Sequence, residues 1–291
     1  MMYYTLPDFT ANLGLNLFFV RLMDERPSWF QDEVRIDSLY GCFPGCIMNG
    51  GRAFVRDPFS EEQIQRTFEI MGEYGLRARL TLTNMLVEQK HLEDPYFRLI
   101  MSRAHGHEVD AIVYSDIVDA YIRSCHPSMR RILSTTREIL EVDELNAALR
   151  SYDMVVLNYT KHRDDDFLRR IDDPGRIEVM VNEFCHKGCP HRQEHYVRNS
   201  QDQLEGTIRP FACVQPPTTD FFDHTPNHPV MLTCEDVRAM HDRYGISHFK
   251  IVGRGTPFST VLEAYVHYLV KPSFRDAVRQ EVVAAAAIAR R

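Results

Sequence analysis

Seven cysteines are the side chains in this sequence best suited to metal or redox chemistry, and they are not scattered evenly. Cys42 and Cys46 lie in LYGCFPGCIMNGGR, and Cys185 and Cys189 in VNEFCHKGCPHRQEHY. Cys213 follows in a long stretch rich in Pro, His, Asp and Thr, and Cys234 opens an amphipathic segment. Only Cys125 falls at the end of a helix-like segment. An odd, clustered set is not a disulfide framework. In a reducing compartment such a set binds metal or does chemistry. Two CxxxC pairs on loops containing Gly and Pro can wrap a metal. A [4Fe–4S] cluster takes four Cys thiolates, whereas structural zinc favours C-x2-C knuckles, which are absent here. The spacing favours the cluster. Zinc remains the alternative, with His186, His191 or His195 completing a mixed site.

Other residues add anion and proton chemistry. GRGTP, from Gly253 to Pro257, offers backbone N–H groups at a helix start, and Arg254 adds a planar grip for carboxylate or phosphate. Arg52 ends the turn NGGR. Glu183 is a candidate general base or an ion-pair partner for Arg254, and His186 a second proton carrier. Asn158, Arg192 and His195 join Arg52 as candidates to contact a bound cofactor or substrate. In HRQEHY, His191 and His195 share a face if helical, but the Glu is displaced from the HExxH order.

Such residues need a scaffold, and the periodicity supplies one. Eight short apolar runs recur: Leu15–Leu22, Arg35–Leu39, Leu76–Leu82, Ala111–Tyr114, Arg131–Leu133, Met154–Leu157, Ile177–Val181 and His248–Val252. Amphipathic segments separate them, among them SEEQIQRTFEIMGEYG, VDELNAALRSY and TCEDVRAMHDRYG, the last with a Thr cap and a Gly stop. Alternating strands and helices over 291 residues predict one (β/α)8 barrel spanning 1–291, with a Cys-rich loop at about 184–232 after the seventh strand. Ligands of such barrels bind at the C-terminal ends of the strands, and six of the seven cysteines map there. No GxGxxG follows the first run, which argues against a dinucleotide-binding sheet.

The bulk numbers narrow the partners. A net charge of −7 with interspersed Arg and Asp gives no support to nucleic-acid binding. No run approaches the roughly 18 apolar residues of a membrane span, and no basic-then-apolar leader opens the chain. The expectation is a cytoplasmic protein acting on a small or medium anionic organic substrate.

The segment from Ile177 to Tyr196, with HFKIVGRGTP after it, resembles the collagenase-like peptidase superfamily, and more closely its iron–sulfur hydroxylation branch of UbiU/UbiV-like barrel proteins. The resemblance implies a [4Fe–4S] cluster held by Cys46, Cys185 and Cys189, with Cys213 as the fourth ligand and Cys42 and Cys234 in reserve. It implies oxygen-independent hydroxylation, and a protein partner, since the branch contains heterodimers. The peptidase pattern, a Glu, a His-Gly pair and then Cys, is echoed only in part by Glu183, His186, Gly188 and Cys189, so peptidase activity is not carried over. A zinc-dependent hydrolase and a non-catalytic, metal-stabilised binding module are the alternatives.

Overall fold

The computed structural model describes residues 1–52, 56–211 and 230–289. Eight parallel strands close into a barrel in sequence order: β1 Met2–Pro7, β2 Val34–Gly41, β3 Arg77–Leu82, β4 Val109–Val113, β5 Arg131–Leu133, β6 Met154–Val156, β7 Ile177–Met180 and β8 His248–Lys250. β1 pairs with both β2 and β8, which leaves no free edge. Ten helices are described: α1 Leu13–Glu25, α2 Glu61–Glu73, α3 Pro95–Ala104, α4 Asp116–Cys125, α5 Val142–Leu149, α6 Asp165–Arg169, α7 Arg192–Glu205, α8 Cys234–Tyr244, α9 Phe258–Leu269 and α10 Arg275–Ala289. Among the described residues no helix is long and apolar enough to cross a membrane.

Seven of the eight apolar runs coincide with strands. The first does not. Leu15–Leu22 lies inside α1, and β1 precedes it as MYYTLP. The buried residues of α1, Leu15, Asn16, Phe19 and Leu22, recur at helical spacing, which the density of apolar residues between them concealed. The start and stop signals were sound. Ser60 caps α2 with a reciprocal bond from Gln63, Thr233 caps α8, and Gly245 closes α8 in the left-handed conformation.

The strands alternate strictly. In β3, Ala78, Leu80 and Leu82 face the helices, while Arg79 and Thr81 face the barrel axis. Asp110 and Ile112, Glu178 and Met180, and Lys250 take the inward positions of β4, β7 and β8. The interior therefore holds two different fillings. Low in the barrel lies a buried charge network. Arg79 meets Glu178 and lies 3.5 Å from Asp110, Thr5 donates to Glu178 at 2.7 Å, and Lys250 Nζ sits 3.4 Å from Glu178 Oε2. Beside it is an apolar cluster of Tyr40, Ile112, Ile132, Met154, Val156 and Met180. Outside, the helices cover a continuous core formed with the outward strand residues.

Candidate functional site

The strand ends and the loops above them enclose a cavity of about 530 Å³. Ile112, Met180 and Val252 give it an apolar floor, and Thr81, Ser134 and Thr136 ring it with hydroxyls. Arg52, Glu183, Cys185, His186, Cys189, Arg192, His195 and Arg254 all line it. The structure thus brings together these eight residues singled out in the sequence, with His191 beside them.

Arg254 is held from three sides. Its Nη1 donates to Asn49 Oδ1 and to Thr81 Oγ1 (2.7 Å), and its Nη2 donates to the Gly50 carbonyl (2.7 Å). All three acceptors are neutral, and the side chain is only 8% exposed. Burial pulls its pKa below the usual arginine value, though not enough to discharge it. The NGGR turn is therefore more than a connection. Its Asn49 side chain and Gly50 carbonyl help cradle Arg254. The predicted pairing of Arg254 with Glu183 does not form, because Glu183 belongs to Arg192.

Arg192, the first residue of α7, donates to Glu183 at 3.0 Å, lies 3.7 Å from Glu138 and stacks between Tyr159 and Tyr196, 4.1 and 5.0 Å from their ring centroids. Glu183 Oε1 accepts the N–H groups of Phe184 (2.9 Å) and Cys185 (3.0 Å). Burial pushes the Glu183 carboxyl upward, but Arg192 and these N–H groups outweigh it and hold the group below its ordinary value. With both oxygens engaged, Glu183 anchors the Cys185 loop rather than serving as a free base.

His186 stands exposed at the rim, its carbonyl accepting from Tyr159 at 2.9 Å. His195 stacks on Phe211 with centroids 4.4 Å apart, and burial, reinforced by Arg52 and Arg192, lowers the pKa of its imidazole. Arg52 is exposed. Asn158 is turned into its own loop, where its Oδ1 accepts from the N–H and hydroxyl of Thr160. It caps a turn and does not line the cavity.

The thiols separate into groups. Cys185 and Cys189 face the cavity, and burial raises the Cys185 pKa against the pull of Arg192. Cys42 and Cys46 are packed in the outer core, 1% and 0% exposed, and the Cys46 thiol is pushed well up by its bond to Cys42 and by burial. Cys234 contacts the His267 carbonyl at 3.2 Å, with its thiol pushed up to about 11 by burial. Cys213 lies outside the described residues. Among the described residues no three His, Cys, Asp or Glu side chains converge as a metal-ligand set. Cys46 packs beside Cys42 and does not line the cavity that Cys185 and Cys189 face.

Lys250 and Tyr40 were missed in the sequence. Both line the cavity, with Lys250 Nζ 4.0 Å from the Tyr40 ring centroid. The signal was available: a lysine in the middle of HFKIV, at the inward position of an otherwise apolar strand, is rarely idle.

No family model matches this sequence, and no curated protein matches it. Among solved structures the chain is similar to the U32 peptidase Mk0906, with 13% identity and a TM-score of 0.55 over 88% of this chain and 94% of that one. It is also similar to the spore cortex-lytic enzyme SleL of Bacillus cereus, with 12% identity and a TM-score of 0.42 over 92% of this chain and 74% of that one. At this identity, the first likeness is one of fold.

Proposed function

We propose that this protein is a barrel enzyme of the collagenase-like peptidase superfamily that binds an organic anion in the cavity at its mouth. The observation that carries the anion is Arg254. A buried guanidinium bonded only to neutral acceptors is costly unless a counter-charge arrives. Lys250, paired with Glu178, lines the same cavity, and the apolar floor suits a carbon skeleton behind the anionic group. The superfamily reading is supported by the resemblance of Ile177–Tyr196 and HFKIVGRGTP and by the fold shared with Mk0906.

Thermal unfolding with inorganic phosphate, citrate and a series of 2-oxo acids tests this. A bound anion stabilises the folded state by about 2.7 kcal/mol at a concentration a hundredfold above its Kd. Arg52→Ala removes an exposed side chain, so the fold should persist while affinity falls about tenfold. A melting temperature unmoved by every anion would overturn the reading.

The finer reading is oxygen-independent hydroxylation with a [4Fe–4S] cluster. What favours it is that Cys185 and Cys189 share the cavity with the cationic groups. Its ligand set would need thiols beyond this pair, with Cys213 the first candidate. Purification without oxygen, followed by iron, sulfide and zinc analysis, decides it. About four irons and four sulfides per chain, lost in the Cys185→Ser/Cys189→Ser variant, would support the cluster. Bound zinc would favour the hydrolase instead, and neither metal would remove both metal-dependent readings.

A further inference from the structure

We propose that Lys250 is a nucleophilic amine that forms an imine with the carbonyl carbon of a 2-oxo acid whose carboxylate rests on Arg254. The inference rests on the anion-binding reading above and adds a covalent step to it. Of the five lysines in the chain, Lys90, Lys161, Lys187 and Lys271 are exposed or half-buried, while Lys250 is 7% exposed and lines the cavity. Its position four residues before Arg254, on the strand that leads to it, directs both cations into one space. A carboxylate next to an electrophilic carbon is the chemistry that a guanidinium and an amine lining one cavity select.

Two neighbours complete the arrangement. Glu178 Oε2 lies 3.4 Å from Nζ, close enough to take the proton that the ammonium must shed. Tyr40 is 5% exposed and lines the same cavity, its ring centroid 4.0 Å from Lys250 Nζ. Burial raises the Tyr40 pKa, so the phenol stays protonated and able to donate. Burial also lowers the Lys250 pKa, with Arg79 and Arg254 acting in the same direction and Glu178 against it.

The step balances without an outside oxidant or reductant. Nζ passes a proton to Glu178 and adds its lone pair to the carbonyl carbon. The carbonyl π pair moves to oxygen, which takes the Tyr40 proton. Tyr40 recovers a proton from the nitrogen. The hydroxyl then leaves as water with the proton Glu178 held, while the nitrogen pair forms the C=N bond. Ammonium and ketone enter, and iminium and water leave. The iminium is an electron sink for loss of a proton or a carboxylate at the adjacent carbon.

The test uses the whole protein with pyruvate or 4-methyl-2-oxopentanoate and sodium cyanoborohydride, which reduces an iminium to a stable amine. The expected result is one adduct, heavier by the acid minus one oxygen atom, mapped by peptide mass spectrometry to Lys250. Lys250→Arg keeps a cation opposite Glu178 and should abolish the adduct, and Tyr40→Phe should slow its formation about a hundredfold. Mapping in the unaltered protein does not depend on how the variants fold. Labelling of other lysines alone, or an adduct that survives Lys250→Arg, overturns the proposal. Equal thermal stabilisation of both proteins by the acid, with no adduct in either, would sink the amine and leave the anion site standing. No stabilisation and no adduct would remove both.

Discussion

Replacing Glu178 by Gln is expected to lower stability by about 3–5 kcal/mol, because it strips the counter-charge from buried cations and leaves their desolvation uncompensated. Gln keeps the shape and one acceptor, so the loss isolates charge from packing. Glu178 faces Arg79 and Lys250 at once, and both it and Arg79 are 0% exposed. Asp110, 3.5 Å from Arg79, cannot take over, since Arg77 and Arg130 already share it. Chemical denaturation should show a lower midpoint with an unchanged slope. The pH dependence has a definite sign. Burial raises the Glu178 carboxyl, but Lys250 and Arg79 outweigh it and bring it below its ordinary 4.5. A depressed folded pKa gives stability that is complete above the unfolded value and fades as pH falls through the folded one. The gap between the parent protein and Glu178→Gln should therefore be widest near neutrality and shrink below about pH 4.5. A gap under about 1 kcal/mol at pH 7, or one that stays constant into acid, would show that the network contributes little as charge.

Gly50→Ala is the second large effect. An added Cβ would stand 2.2 Å from the Thr83 carbonyl oxygen and 2.6 Å from the Asn84 nitrogen, and no rotamer can move it away. The turn must lift off the end of β3, which breaks the bond from Asn84 N–H to the Met48 carbonyl and shifts the Gly50 carbonyl from Arg254. The expected cost is about 2–3 kcal/mol in stability, together with a loss of anion affinity larger than that of Arg52→Ala. Gly72→Ala is the control. That glycine lies in α2 with nothing within 4 Å of its would-be Cβ, and alanine there should be neutral or stabilising by up to about 1 kcal/mol. Similar melting temperatures for the two variants would contradict the account of the cradle.

The barrel was legible because its signals are local. Apolar runs, Ser and Thr caps and Gly stops each sit within a few residues of what they specify, and seven of eight strands were placed from them. α1 was misread because six apolar residues in eight mask the period that separates a helix from a strand. The site was half legible. Cys185, Cys189, Arg192 and Arg254 could be placed at the mouth from their position after a strand. Their partners could not. That Arg254 binds the Asn49–Gly50 turn while Glu183 binds Arg192 depends on which side chains face inward around a closed barrel, and no spacing in the chain encodes that. Arg79, Asp110, Glu178 and Lys250 were visible as charges inside strands. Only their convergence on the axis turns four separate anomalies into one network.

The wall of the cavity formed by α7 is stitched to the opposite side of the mouth. Ser200 accepts from the N–H of Met85 and, through its carbonyl, from Asn84, both at 3.0 Å. Gln203 reaches the Cys46 carbonyl at 3.0 Å, and Asn199 reaches that of Gly51 at 2.8 Å. These bonds join residues 115 to 157 positions apart in the chain. Contacts of such sequence separation form only after a large loop has closed, so they raise the contact order and slow folding. The mouth is thus a late product of folding. A nascent chain that has completed its first four βα units already contains Arg52, Asn49 and Thr81, but it has no ligand site until α7 and β8 arrive to close it.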